Sequence, residues 1–277
     1  MVHPPRMRLP AVVRAIHPAP ALAVTALSAA LGAILLFQAG RTPGSSWALL
    51  VLSVAGSQVF TGMANDIADR ERDRVARPEK PIPAGELSVD TAIWVASAAL
   101  ALQLVASLWL GPLPLVIGAV ASASALAYDL ALSRTPYSAI PYLVSFGLLP
   151  AWIASGVGVP LDRILPAIPL VAPFAVAAHL ANTVRDWQAD AAGGSRSLAQ
   201  VLGRQASRRL AAGLALAVGI GEGAALALGG RLTLASAVLG LAGLLAIASS
   251  ARNERRLWYA VLVAAVCWTA AWALSTG

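Results

Sequence analysis

The chain of 277 residues contains one cysteine, thirteen acidic residues, and charged side chains at only 12% of its positions. A lone Cys267 can form neither an internal disulfide nor a multi-thiolate metal site, and inside an apolar run it reads as a small packing residue. The sequence shows no Ser-His-Asp or Cys-His arrangement, so chemistry through an activated enzymic nucleophile has no obvious carrier. A soluble domain, a low-complexity tail and an organelle transit segment are also missing. The apolar runs do not alternate with period two, which argues against a closed β-barrel.

What the chain does have is apolar length. Hydrophobic residues make up 58% of it. Runs rich in Ala and Leu recur from about residue 17 to the C-terminus. Each is long enough for a hydrocarbon core of roughly 30 Å, which takes about 20 helical residues. The expected fold class is an all-α integral membrane protein with nine transmembrane helices. Their expected positions are about 17–37, 47–64, 90–110, 113–131, 137–156, 164–184, 207–228, 232–250 and 257–275. The abundant small residues suit close helix packing in lipid. The first run is longer than a secretory hydrophobic region and is read as retained. The whole chain, residues 1–277, reads as one membrane unit.

The charges orient this bundle. With the N-terminus on the cytoplasmic side, the inner segments carry seventeen of the twenty basic residues. Only Arg41, Arg163 and Arg231 fall in outer loops. Such a bias is the positive-inside pattern and fits an odd number of spans. The net charge of +7 arises from residues that flank spans rather than forming one patch, so nucleic acid is not an expected partner. The expected location is a bacterial cytoplasmic membrane, with the charged loops at about 65–89 and 185–206 facing the cytoplasm.

Six of the thirteen acidic residues lie in two short windows, Asn65–Asp73 and Asn182–Asp190. In the first, Asp66, Asp69 and Asp73 stand at i, i+3 and i+7 and would share a helix face. In the second, Asn182, Asp186 and Asp190 stand at i, i+4 and i+8, with His179 one turn earlier. Carboxylates gathered at matched places in a membrane chain imply that something cationic binds there. Such rows can chelate Mg²⁺ and leave coordination positions open for phosphate oxygens. Asn65 and Asn182 add neutral ligands. Arg72, Arg77 and Lys80 beside the first row, and Arg185 and Arg196 beside the second, are candidates for direct phosphate contact. Arg74 and Arg204 are explained by the charge bias alone.

The stretch Asn65-Asp66-x-x-Asp69-x-x-x-Asp73-x-x-x-Arg77-Pro78-x-Lys80-Pro81-Ile82-Pro83-Ala84-Gly85 closely resembles the signature loop of the UbiA superfamily of intramembrane prenyltransferases. The stretch Asn182-x-x-Arg185-Asp186-x-x-x-Asp190-x-x-Gly193, followed by Ser197-Leu198-Ala199, resembles the second signature, most closely in its dihydroxynaphthoate (menaquinone-type) branch. Gly194-Ser195 stands where that branch has Gly-Lys, with Arg196 next to it. A third cytoplasmic element of the family is matched by Tyr128 and Arg134, with Asp129 added and a Lys missing.

The resemblance implies that Asp66, Asp69, Asp73, Asp186 and Asp190 are catalytic and, with Asn65 and Asn182, hold Mg²⁺. It implies that Asn65, Arg72, Arg77, Lys80, Tyr128, Arg134, Asn182, Arg185 and Arg196 bind the diphosphate of an isoprenyl diphosphate. Ionisation of that allylic substrate in a dry chamber would then let a lipophilic or aromatic acceptor capture the prenyl group. Capture by the substrate's own double bonds, as in a terpene cyclase, is an alternative. A cation transporter is a further one, disfavoured because both rows lie near one surface rather than at mid-membrane. Glu222, well inside a span, reads as a structural acid; Gln58 and Gln103 read as interhelical hydrogen-bonding groups, and most of the eight Trp residues as interfacial anchors.

Overall fold

The computed structural model describes residues 10–192 and 194–275, apart from the side chains of residues 166, 189, 190 and 192. Arg6, Arg8 and Gly193 therefore lie outside the described residues. Among the described residues the structure is helical, with no strand. The main helices are α1 (Pro18–Gln38), α2 (Ser45–Ala76), α3 (Val89–Leu110), α4 (Pro112–Ala127), α5 (Ala139–Gly156), α6 (Ile168–Arg185), α7 (Arg204–Leu228), α8 (Leu234–Ser250) and α9 (Glu254–Leu274).

These nine coincide with the nine apolar runs, but length and composition qualify only seven as membrane spans. The other two are α6, with 18 residues, and α8, with 17 residues. In α6, His179, Asn182 and Arg185 dilute the apolar character, and α8 is shorter than a full crossing needs. The largest departure in bounds is α2. It was expected to end near residue 64 and instead continues to Ala76, carrying the first acidic row on its last turns.

Local chemistry sets the helix starts. The Ser88 hydroxyl accepts from Thr91 N at 3.1 Å to open α3, and Asn253 accepts from Arg256 N at 3.0 Å to open α9. Thr233 and Ser236 form a reciprocal capping box at α8. The α3–α4 corner turns on Gly111 at φ 120°, with Pro112 opening α4.

Packing falls into two halves. Residues of α6, α7, α8 and α9 form one core around Leu180, Ile247, Leu257 and Trp268. Residues of α1, α2, α4 and α5 form another around Leu35, Leu50, Trp152 and Ile153. Between α2, α3 and α4 runs a buried polar ladder. Gln103 donates to Gly118 O at 2.9 Å and accepts from Ser122 Oγ at 2.8 Å, Ser57 meets Ser122 at 2.9 Å, and Ser53 meets Ser107 at 2.6 Å. Gln103 thus plays the interhelical role expected of it. Trp94 and Trp109, near opposite ends of α3, are largely exposed, as interfacial anchors are.

The two ends of the bundle differ in chemistry. One gathers the acidic windows and most of the arginines. At the other, Arg41 donates to Gly158 O at 3.1 Å and Arg163 reaches Gln38 O at 3.5 Å.

Candidate active site

The first acidic row lies on α2, where Asp66 and Asp73 are almost fully buried, 2% and 1% exposed. Two carboxylates this deep need a positive partner. Lys80 supplies it: its Nζ lies 2.7 Å from Asp66 Oδ1 and 2.7 Å from Asp73 Oδ2. The local sequence makes this possible. The helix stops at Arg77, whose N–H still donates to Asp73 O at 2.8 Å, and Pro78 prevents its continuation. The chain then folds back through Lys80 N to Arg77 O at 3.0 Å and Ala84 N to Lys80 O at 2.9 Å, closing on Gly85 at φ 72°. That tight loop returns the ammonium over the helix end.

Asp69, on the same helix face, is engaged separately by Arg72 at 2.6 Å. Arg72, expected to hold phosphate, is therefore turned to its own helix. Asn65 donates to Asp129 Oδ1 at 3.0 Å, joining α2 to the π-turn Tyr128–Leu132 that follows α4. His17 reaches Asp66 Oδ1 at 3.0 Å from the start of α1. It holds φ 51°, the only positive φ at a non-glycine among the described residues. Strained backbone of this kind concentrates at functional sites. No local pattern points to His17, because its neighbour Asp66 is distant in the chain.

The second window differs from its expected form. The stretch Asn182–Asp190 is not one helix: α6 ends at Arg185, Asp186 turns at ψ 15°, and a short helix Trp187–Ala192 starts anew. The turn brings Trp187 inward against the core of α6, α7 and α9. Asp186 thus does not continue a straight i, i+4, i+8 row, and the Asp190 side chain lies outside the described ones. Arg185 grips Asp186 in a two-point fork at 3.0 and 2.8 Å, and its guanidinium lies 5.0 Å from the Trp258 ring centroid. His179 is buried and bound to Ser138 Oγ at 3.0 Å, so it supports the loop that Ser138 also ties to Leu198 N.

Arg196 and Arg134 meet through the backbone, Arg196 N donating to Arg134 O at 3.1 Å, which brings the third element to the second window. Below them, Tyr128 packs edge-on to Tyr142 at 5.2 Å and to His179 at 5.9 Å, and Tyr142 stacks on Phe146 at 5.8 Å. Tyr142 and Phe146 were not singled out in the sequence, where they are ordinary apolar-run aromatics.

A cleft of about 680 Å³ opens beside the second window. It is lined by Arg77 from the end of α2, by Arg185 and Asp186, and by Asn253, Glu254, Arg255 and Tyr259 of the α9 start. In the sequence, residues 251–256 registered only as part of the charge bias.

Magnesium ion is the group this arrangement suggests. Among the described residues no three carboxylate or imidazole groups are drawn together as a ready metal cage. Asp66 Oδ2 and Asp73 Oδ1, however, are buried without a hydrogen-bond partner. Orphaned carboxylate oxygens are what a hard cation ligates. The first row fits such an ion.

The UbiA prenyltransferase family profile matches residues 25–259. Digeranylgeranylglyceryl phosphate synthase from Methanoculleus marisnigri is 31% identical over 202 residues, 71% of this chain and 70% of that protein. The protein of the same name from Thermococcus kodakarensis is 29% identical over 180 residues, covering 60% and 61% of the two chains. Among solved structures, a UbiA homologue from Archaeoglobus fulgidus bound to GPP and Mg²⁺ superposes with a TM-score of 0.73 at 15% identity, covering 96% of this chain and 100% of that one. The apo UbiA homologue from Aeropyrum pernix K1 gives 0.70 at 19% identity, over 90% and 96%. These structures share the fold. Taken with the family match, they establish that this integral membrane protein belongs to the UbiA prenyltransferase family.

Proposed function

We propose that the protein transfers a prenyl group from an allylic isoprenyl diphosphate to a hydroxyl of a lipid acceptor with a glyceryl phosphate headgroup, releasing pyrophosphate. The observation that carries this reading is the buried Asp66–Lys80–Asp73 arrangement, with carboxylate oxygens unsatisfied, at the end of the bundle where the arginines gather. The name of the relatives supports the acceptor: digeranylgeranylglyceryl phosphate is a glyceryl phosphate bearing two prenyl chains.

Asp66, Asp69 and Asp73, with Asn65, would hold Mg²⁺ on the first row; Asp186, Asp190 and Asn182 would do so on the second. What Mg²⁺ supplies when bound is neutralisation of the diphosphate oxygens, so that pyrophosphate becomes a better leaving group. Lys80 hydrogen-bonds the departing oxygens as charge builds there. Arg185 and Arg196 act from the facing loop. The bond between C1 and the diphosphate oxygen breaks, and its electron pair leaves with pyrophosphate. The acceptor oxygen bonds to C1, and its proton passes to the pyrophosphate. The aromatic cluster of Tyr128, Tyr142 and Phe146 stabilises the allylic cation and keeps water away.

The second signature favours another acceptor, an aromatic acid, through its likeness to the dihydroxynaphthoate branch. The charge bias supports a site facing the cytoplasm. The bacterial membrane read from the sequence rests on that sequence alone, since the relatives are archaeal.

The test uses purified protein, Mg²⁺ and allylic diphosphates of increasing length, offered with a monoprenyl glyceryl phosphate, with dihydroxynaphthoate, or with neither. Mass spectrometry identifies the products. A diprenyl glyceryl phosphate is the expected product. A prenylated naphthoate alone would replace the glyceryl acceptor by the aromatic one, and a cyclic hydrocarbon formed without acceptor would make the protein a cyclase.

A further inference from the structure

The cleft beside the second window has more positive charge than its own carboxylates balance. Asp186 is taken up by the Arg185 fork, and Glu254 by a second fork from Arg204 at 2.7 and 2.6 Å. Arg77 and Arg255 line the same cleft, and neither has an ion pair or side-chain hydrogen bond among the described residues. Two guanidiniums lining one cleft without counter-ions give it a net positive potential, which favours an anion there.

The buried Asp66–Lys80–Asp73 cluster does not line this cleft. The site therefore offers two anion seats, the outer one bordered by Arg185 and Asp186 of the second window. One is inside, built on carboxylates and suited to a metal-bound diphosphate. The other is an open seat built on arginines and suited to an anion that arrives without a metal.

We infer that Arg255, with Arg77 in the same cleft, seats the phosphate monoester of the acceptor and sets the enzyme's preference for a phosphate-bearing headgroup. This deepens the transfer reading above and rests on it. A phosphate monoester carries close to two negative charges at neutral pH, which matches the two unpaired guanidiniums. Guanidinium forks suit phosphate oxygens, and the exposed Tyr259 hydroxyl and the Asn253 amide stand at the same wall to donate further hydrogen bonds. The volume of about 680 Å³ leaves room for the glycerol backbone beyond the phosphate. Arg255 lies outside both acidic windows and outside the Asp66–Lys80–Asp73 cluster, and in this proposal it acts on the acceptor rather than on the leaving group.

The experiment compares wild type with Arg255→Ala and Arg255→Lys in neutral detergent. Binding of a monoprenyl glyceryl phosphate is measured first, with no allylic diphosphate present, alongside its dephosphorylated alcohol and phosphatidylglycerol as a competitor. Transfer kinetics follow. Arg255→Ala is expected to weaken phosphate-acceptor binding and raise its KM about tenfold or more. The KM for the allylic diphosphate and the affinity for the alcohol stay unchanged, and Arg255→Lys restores part of the loss. Equal binding of acceptor by wild type and Arg255→Ala overturns the inference. So does a matching rise in KM for the diphosphate, or displacement of the acceptor by phosphatidylglycerol at equal concentration. Arginine-dependent binding without any transfer would leave the seat in place and reject the transferase reading instead.

Discussion

Lys80 Nζ donates to Asp66 Oδ1 across 2.7 Å, although they stand 14 positions apart in the chain. The same ammonium lies 2.7 Å from Asp73 Oδ2. One cation thereby occupies the gap between two buried carboxylates that would otherwise repel each other in a poorly solvated place. A divalent ion binding Asp66 and Asp73 must move this ammonium outward, toward the diphosphate it is to meet.

That competition has a sign. Lys80→Met removes the internal competitor, so Mn²⁺ in the absence of substrate binds more tightly than to wild type, read by electron paramagnetic resonance. The same change removes a donor to the leaving group, and prenyl transfer falls by about tenfold or more. Weaker Mn²⁺ binding in Lys80→Met would show that the lysine assists the ion rather than displacing it.

The three aspartates of the first row are not equivalent. Asp66→Asn and Asp73→Asn each remove a buried ligand whose free oxygen has no other partner, and turnover should fall by about a thousandfold. Asp69 is more exposed and already satisfied by Arg72, so Asp69→Asn should cost about tenfold to a hundredfold. Steady-state rates at saturating Mg²⁺ order the three; equal losses would mean that Asp69 leaves Arg72 and joins the others.

Gly62 places the start of α1 against α2. A Cβ there would lie 2.7 Å from Ile16 O and 2.9 Å from Ile16 C, a backbone clash that only movement of the segment relieves. Gly62→Ala should push Ile16 and with it His17 away from Asp66. The expected result is a lower apparent Mg²⁺ affinity with the protein still folded, and His17→Gln, made separately, should reproduce the shift. An unchanged Mg²⁺ dependence in Gly62→Ala would separate the His17 contact from the metal site.

The buried ladder around Gln103 holds α2, α3 and α4 in register. Gln103→Leu leaves Gly118 O and Ser122 Oγ without their present partner, at a cost of about 1–2 kcal/mol. Thermal unfolding in detergent should shift down by several degrees, while KM for the diphosphate is unchanged. A loss of substrate binding with normal melting would place Gln103 in the site.

Much of this was legible in the sequence because it is short-range. The i, i+3, i+7 spacing puts Asp66, Asp69 and Asp73 on one face once the segment is helical, and Pro78 marks where that helix stops. The apolar runs located the helices to within a few residues, except at α2, where charged residues past 64 hid a helix continuing to Ala76. What was not legible depends on tertiary packing. The helix breaks at Asp186, beside a Trp187 packed against the core, and no local signal announces it. His17 meets Asp66 across 49 positions, and Arg77 after α2 and Arg255 of α9 come to line one cleft. Periodicity carries no information about such pairs.

The most direct test of the central claim, that the buried acidic row works through a divalent ion on an allylic diphosphate, is pyrophosphate release by purified protein with its acceptor. Wild type and Asp73→Asn are compared, with Mg²⁺ and with a chelator. The account predicts release by wild type that requires Mg²⁺ and is lost in Asp73→Asn while the variant remains folded in the membrane. Release that persists in the chelator, or that survives Asp73→Asn at the wild-type rate, would contradict it.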